Sequence, residues 1–584
     1  MLGANLRLHI TISNLAPCAK AQIEPCAKAP TICVIGASTD PGQAIALRAA
    51  LPKKTNSGWK LFAGTALSGL LIAIASFSAT ATSSDRQNIE LEVGVVQRFG
   101  SSISDRLTLK AAEPGDRLTL TFEGGDGLPT TLMATEIKLE ISTRPLQQPV
   151  VEERVVLSSH RSFENAEHSA NRWQQQGLEV EIGQPSSWQV WAKRDTYNSP
   201  LLRRLLLESL REAGNKTAFI ETSNLRQERI VSWVAGGSRY HRKYLDISAS
   251  QDLIAVSQGK GDRDKRSYHG RLEIKPNAYG SYTLVNQVPL ETYLRGVVPH
   301  EVGTNPPYAA LESQTILART YALRNLRRFQ IDGYQLCANT HCQVYKGADT
   351  WLPADRAIAA TAGQVLTYQN ELVDALYFST SGGITASFED LWDGPPRPYL
   401  LPVVDSATNI WNLSGNSLAG EQNFRRFMAL KQGFNEEKYD FFRWREASAL
   451  PQMNQRLRSY LQRKKHPLAN FKTIRKLEVV ERSNAGRVLK LAVTTDRGIV
   501  ELKKDEILQG FYAPLSTLFY LEPIYGADKT LKGYRFVGGG FGHGVGLSQH
   551  GSHFLAKLGW SSDRILRFYF PGTEIQTLNE DITF

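Results

Sequence analysis

Cysteine is scarce in this 584-residue chain, and three of its five cysteines (Cys18, Cys26, Cys33) fall before position 34. Only Cys337 and Cys342 serve the long remainder, which excludes a disulfide-stapled framework. Long apolar runs are equally few. Leu61–Phe77 is the one stretch that approaches a bilayer span without a charge, so a multi-span membrane protein is excluded. A basic stripe interleaved with aromatics is also missing. The net charge of +11 owes +5 to residues 1–60, where seven Lys and Arg face only Glu24 and Asp40. About half the excess therefore sits in one terminal segment, and no nucleic-acid partner is expected. With 42% hydrophobic and 21% charged residues the rest reads as globular, and its length asks for two or three domains.

Lys53, Lys54 and Lys60 precede the apolar run, and Ala79-Thr80-Ala81 follows it with a small-x-small cleavage pattern. Residues 1–82 thus read as a presequence. The apolar run is either a signal peptide cut near Ala81 or an anchor in the inner membrane, and in both cases the remainder is exported to the periplasm or cell wall. Short alternating runs at Ile89–Val96, Arg106–Leu109, Arg117–Phe122 and Glu136–Ile141 then predict a small β unit over 83–149. Residues 150–225 change rhythm. Ser162 caps a helix with apolar face Ala166, Ala170 and Trp173, closed by Gly177, and Ser199-Pro200 opens a second. Strands on either side make this a compact sheet with two helices on one face, set apart from every catalytic candidate. Residues 226–584 return to strands around helices, with a polar, Arg/Lys-rich helical insertion expected at about 420–465. The fold class is α+β: a β-rich domain whose helices form a cleft, plus the small two-helix module.

Four segments carry chemistry. In "VPLETYLRGVVPHEVGTNPPYAALESQTILARTYAL" (288–323) an apolar run and a proline-fixed turn lead into Glu301. Such a carboxyl either caps the next helix or, in apolar surroundings that raise its pKa, serves as a general acid. Gln314 and Tyr321 share a face of the following helix. The segment "CANTHCQVYKG" (337–347) brings Cys337, His341 and Cys342 within reach of a zinc ion, and equally allows a Cys337–Cys342 disulfide. In "YFSTSGGITASFEDLW" (377–392), Ser379 and Ser381 stand on a Gly-rich loop able to offer hydroxyls and N–H groups to a sugar. The fourth, "GGGFGHGVGLSQHG" (538–551), sets His543 among seven glycines without the Lys-Ser/Thr of a phosphate loop.

Taken together, "YLRGVVPHEV", "ARTYAL", "THCQVYKG", "STSGG" with "EDLW", and "FGHGVGLSQHG" with "YFPGTEI" resemble the SpoIID/LytB family, in that family's order. The likeness covers roughly 229–403 and 475–584, with 89–141 more loosely. Val302 and Leu547 replace usual methionines, and Gly551-Ser552 stands for Gly-Ala, none of which touches a polar group. The resemblance implies a lytic transglycosylase acting on peptidoglycan glycan strands stripped of their peptides. Glu301 would be its acid and Gln314, Tyr321, Ser379, Ser381 and His543 its cleft lining. It also implies a rival, a non-catalytic wall protein that activates a peptidoglycan amidase. Glu389 and Asp390 are the candidates for a second carboxylate. "SFENAEHSANRWQQQGLEVEI" and "LLRRLLLESLREAGN" resemble the halves of a SPOR module, which binds stripped glycan.

Overall fold

A computed structural model describes residues 89–259 and 264–584. The presequence, including the 61–77 run, lies outside these residues. Among those described, no helix is long and apolar enough to cross a membrane.

Alternation drives the first layer. In Leu118–Glu123 the leucines and Phe122 are buried while the threonines between them are partly exposed, a period-two pattern that demands a sheet with one covered face. Seven strands form that sheet, in the order Leu336–Cys337, Glu90–Phe99, Tyr282–Pro289, Arg271–Pro276, Leu245–Ala249, Leu118–Glu123 and Pro129–Ala134. A second sheet contains Arg266–His269, Leu253–Gln258, Arg106–Ala111, Glu136–His160, Trp188–Ala192 and Val180–Gly183, with Phe219–Ala235 paired to Glu136–His160 and Ser238–Arg242 beyond it. Strands of both sheets contribute to one apolar core, including Leu91, Leu109, Leu120, Leu139, Trp233 and Leu284, and the curled half-barrel closes over it. The protein is mixed α+β and rich in strand.

Helices α1 (Phe163–Gln175) and α2 (Pro200–Glu212) begin where the sequence signals them. The hydroxyl oxygens of Ser162 and Ser199 accept the N–H of Asn165 and Leu202 respectively. Their apolar faces bury Phe163, Ala166, Ala170, Leu206 and Leu210. Two observations tie this module into the rest. Strand Glu136–His160 runs unbroken past residue 150, and Phe219–Ala235 runs past 225, pairing with it as a long ribbon. The core beneath α1 and α2 also takes in Val285, Phe329, Tyr334 and Cys337 from outside the module.

The middle of the chain builds α3 (Leu290–Arg295), α4 (Val298–Glu301), α5 (Tyr308–Arg324) and α6 (Leu352–Ala360). Almost every side chain of α5 from Ala310 to Leu323 is buried, so it is a central pillar rather than a surface helix. Helices α7 (Glu421–Ala429) and α8 (Leu450–Arg463) lie in the expected insertion. Each buries one face, Phe424, Phe427 and Met428 for α7, and Met453, Leu457 and Leu461 for α8. Between them Trp444–Ala449 pairs with Leu531–Gly538, so this segment is woven into the sheet structure and is not a solvated appendage. Helices α9 (Glu506–Gly510), α10 (Gln549–Lys557) and α11 (Ser562–Tyr569) follow, and α10 and α11 pack on α5.

Candidate active site

Glu301 ends α4, a single turn opened by Val298-Pro299 and stopped by Gly303, whose φ of +81° no ordinary side chain adopts easily. That turn aims the carboxylate into a cleft of about 650 Å3. One carboxylate oxygen accepts the Val344 N–H at 2.5 Å, and the Tyr377 hydroxyl donates to the same group. Burial raises the carboxyl's pKa above its ordinary value, and these two hydrogen bonds oppose the rise without cancelling it. Behind it runs a chain of buried groups. The Tyr293 hydroxyl donates to Gln343 Oε1 at 3.2 Å, and Gln343 Nε2 donates to the Tyr377 hydroxyl at 3.2 Å. Burial drives the Tyr293 and Tyr377 phenols well above their usual range, so both remain protonated donors at any physiological pH.

Six of the nine expected site residues line this cleft: Glu301, Tyr321, Ser379, His543, His341 and Cys342. His543 is held by its own loop. Its Nδ1 accepts the Val545 N–H at 3.1 Å, its ring sits against Phe378 and Trp392, and it bonds the Tyr377 backbone. Burial depresses its pKa to about 4, so the imidazole is neutral and acts as a wall and a donor, not as a charged acid. Ser379 directly follows the strand Tyr377–Phe378, which pairs in parallel with Leu547–Ser548 and so couples the two Gly-rich loops.

Three residues fall elsewhere. Gln314 is buried within α5, does not line the cleft, and neither atom of its amide finds a partner. Ser381 is also buried, because its hydroxyl serves an acidic cluster instead of the cleft. Its oxygen lies 2.9 Å from both Asp405 and Glu436, and its one proton can be given to either. Glu436 further accepts the N–H of Ser381 at 2.6 Å and of Gly382 at 3.0 Å, and the hydroxyl of Ser548. Asp405 accepts Tyr569 and Asn435, each at 2.8 Å. Burial raises both carboxyl pKa values, and the neighbouring Asp405 charge pushes Glu436 further, to about 8. Cys337, the third, lies buried in the sheet edge.

Of the zinc ion and the disulfide that the 337–347 segment allows, the sulfurs sit as the disulfide. Cys337 and Cys342 are joined as a disulfide, with Cα atoms 5.6 Å apart. Bonded sulfurs offer no thiolate, so Cys337, His341 and Cys342 do not fit a zinc ion. Among the described residues no group of three His, Cys, Asp or Glu is placed to hold a metal. Glu389 is exposed, and Asp390 is buried against Ser483 at 2.8 Å; neither lines the cleft.

The sequence reading missed much of the wall. Arg161, Ser162, Phe163, Glu164 and Trp188 line the same cleft, so the 150–225 module does not stand apart from the catalytic candidates as expected. Its two acidic neighbours are both paired: Glu164 with Arg328, and Asp505 with Arg161 at 3.9 Å. Gln343 and Val344 sit inside the quoted "THCQVYKG", and Tyr377 opens "YFSTSGG". Their neighbourhood was visible in the text, but not their roles.

The arrangement defines an α+β protein with an aromatic-walled cleft lined by Glu301, a buried carboxyl whose pKa is raised by burial. Comparisons with known proteins agree with the motifs. Residues 278–368 match the family described as Stage II sporulation protein, and residues 386–546 match a domain of unknown function, DUF8618. The chain is 26% identical to the amidase enhancer of Bacillus subtilis (strain 168) over 302 residues, 48% of this chain and 40% of that protein. It is 25% identical to Stage II sporulation protein D of the same organism over 357 residues, 57% of this chain and 88% of that one. An uncharacterized protein of Brachyspira hyodysenteriae is 24% identical over 326 residues, 53% of this chain and 73% of its own length. The chain thus spans less than half of the amidase enhancer and most of the other two. It carries a domain of the SpoIID/LytB family.

Proposed function

We propose that this protein is an exported wall-remodelling enzyme, a lytic transglycosylase that cleaves peptidoglycan glycan strands with Glu301 as its one acid–base group. The observation that carries the reading is Glu301 itself, a carboxyl that lines the cleft and whose pKa is raised by burial. In the lytic route Glu301 protonates the leaving glycosidic oxygen. As carboxylate it then takes the proton from the muramic C6 hydroxyl, which closes on the anomeric carbon to give a 1,6-anhydro end. A hydrolase needs a second carboxylate as nucleophile or base. Of the other carboxyls lining the cleft, Glu164 is paired with Arg328, which favours the one-acid route, whereas Asp505 has Arg161 only at 3.9 Å and is raised to about 6 by burial. Tyr377, Gln343 and Tyr293 would hold the Glu301 side chain and restore its hydrogen bonds as its charge changes. Tyr321, Ser379 and His543 would orient sugar.

The family of the 278–368 segment and the names of the relatives support a role at the cell wall. One relative is named an amidase enhancer, and this favours the second reading, a wall-bound activator of an amidase. Product analysis on purified, peptide-free glycan separates the two. The enzyme yields fragments with 1,6-anhydro muramic ends, whereas an activator cleaves no strand alone and accelerates a co-purified amidase instead.

A further inference from the structure

One part of the cleft wall is apolar and yet open to water. Among the described residues, Phe541 is the one strongly exposed large apolar side chain in the cleft lining, at 43%. A single exposed ring is ordinary on a protein surface. Phe541, however, stacks on Phe441, itself 41% exposed, with ring centroids 4.8 Å apart and planes 25° from parallel. In the other stacked pairs of described rings, Trp233–Tyr240, Phe329–Tyr334 and Tyr439–His550, no member is exposed to this degree.

Backbone contacts hold both rings in place. Phe541 lies between Gly540 and Gly542, whose φ values of +83° and +103° are open to glycine and strained for other residues. Its N–H donates to the Thr380 carbonyl at 2.9 Å, and its carbonyl accepts the Thr380 N–H at 3.3 Å. Phe441 comes from the 420–465 segment, and its carbonyl accepts the Gly540 N–H at 2.8 Å. Anchors lie on either side of it. Glu436 accepts the N–H of Ser381 and of Gly382, and Arg443 Nη1 donates to the Gly382 carbonyl at 2.7 Å. Rings fixed in this way lose little freedom when a ligand lies against them. A pyranose ring has faces of C–H groups and an edge of hydroxyls. The C–H face matches a flat phenyl, and Ser379 in the same lining offers a hydroxyl for the edge.

We propose that Phe441 and Phe541 form a stacking platform for a sugar ring of the glycan strand, on the exposed wall of the cleft that holds Glu301. This rests on the glycan reading above and adds a subsite to it. It also gives a task to the 386–546 stretch, in which both rings lie. The test uses the full chain carrying Glu301→Gln, so that strands are bound without being cut, and a pool of long peptide-free glycan strands as the probe. Phe441→Leu keeps an apolar side chain but removes the flat face, whereas Phe441→Tyr keeps the face. Phe541→Leu makes the same change on the other ring, and melting temperatures check that each variant is folded. Either Leu variant should raise Kd at least about fivefold, while Phe441→Tyr stays within about twofold of the parent. Leu variants that bind as tightly as the parent overturn the platform and leave the cleft chemistry standing. Phe441→Tyr as weak as Phe441→Leu also overturns it, because the flat face then does not matter. If Phe441→Leu instead splits a dimer seen by light scattering, with glycan affinity unmoved, the pair is a contact between copies of the chain and the platform is again overturned. Failure of the parent to bind strands overturns both the platform and the glycan reading.

Discussion

Glu301→Gln isolates proton transfer from everything else the residue does. The side chain now meets two donors, the Val344 N–H at 2.5 Å and the Tyr377 hydroxyl. An amide oxygen can accept from Val344 as before. Its NH2 group must then face Tyr377, whose hydroxyl also receives Gln343 Nε2 at 3.2 Å and can turn to accept. At most one hydrogen bond is rearranged, at a cost of about 1 kcal/mol, and a buried ionisable group is removed in exchange. Stability should therefore change by about 1 kcal/mol or less near neutral pH. Cleavage should fall by roughly 10²–10⁴-fold, the usual share of general acid–base catalysis. The sign of the pH effect is also fixed. Because the folded pKa is raised, Glu301 contributes stability below its unfolded pKa and loses it as pH rises through the folded value, and the Gln variant lacks that decline. The assay is release of soluble fragments from peptide-free glycan, with the ends read by mass spectrometry. A variant within tenfold of wild type would refute the assignment of Glu301. Ordinary reducing ends that take up heavy oxygen from labelled water would refute the lytic route even if Glu301 proved essential.

Tyr377→Phe removes a donor that lowers the Glu301 pKa, so the alkaline limb of the pH–rate profile should move upward while turnover falls; a limb that stays put assigns Tyr377 a packing role only. Glu436→Gln removes this carboxyl's titration and leaves one amide oxygen to accept one of the two N–H groups of the 381–382 turn. Its raised folded pKa means wild-type stability declines as pH rises above the unfolded value of about 4.5, and thermal melts of the variant should show a flatter decline. Trp188→Ala empties a site 2% exposed that is packed against Phe163 and Phe329, and should cost about 3–5 kcal/mol in chemical denaturation of the whole chain. A loss below about 1 kcal/mol would mean that the module folds independently of the rest.

What the sequence made legible follows from the range of the forces involved. Local signals were read well: Ser162 and Ser199 cap their helices, Gly177 closes the first with φ +83°, and Trp188–Ala192 is a strand as its pattern asks. Each depends on a few neighbouring residues. Glu301 was legible for the same reason, since its proline-fixed turn is local, and family motifs supplied the context that its own text could not. Gln314 and Ser381 failed because helix periodicity and Ser/Gly composition say nothing about what comes to lie opposite. For Ser381 that is Asp405 and Glu436, 24 and 55 residues later. Glu436 shows the limit most clearly. It lies in a polar, Lys-rich stretch that reads as solvated surface, yet it is fully buried. The cost of burying this carboxyl is offset by donors from the 381–382 turn and from Ser548, and by a pKa that burial and the Asp405 charge raise to about 8. Since Ser548 lies next to Leu547, which pairs with Tyr377, this cluster fixes the strand that carries the Tyr377 hydroxyl to Glu301. The Glu301 carboxyl is therefore positioned in part by residues that no periodicity or spacing in the chain could have connected to it.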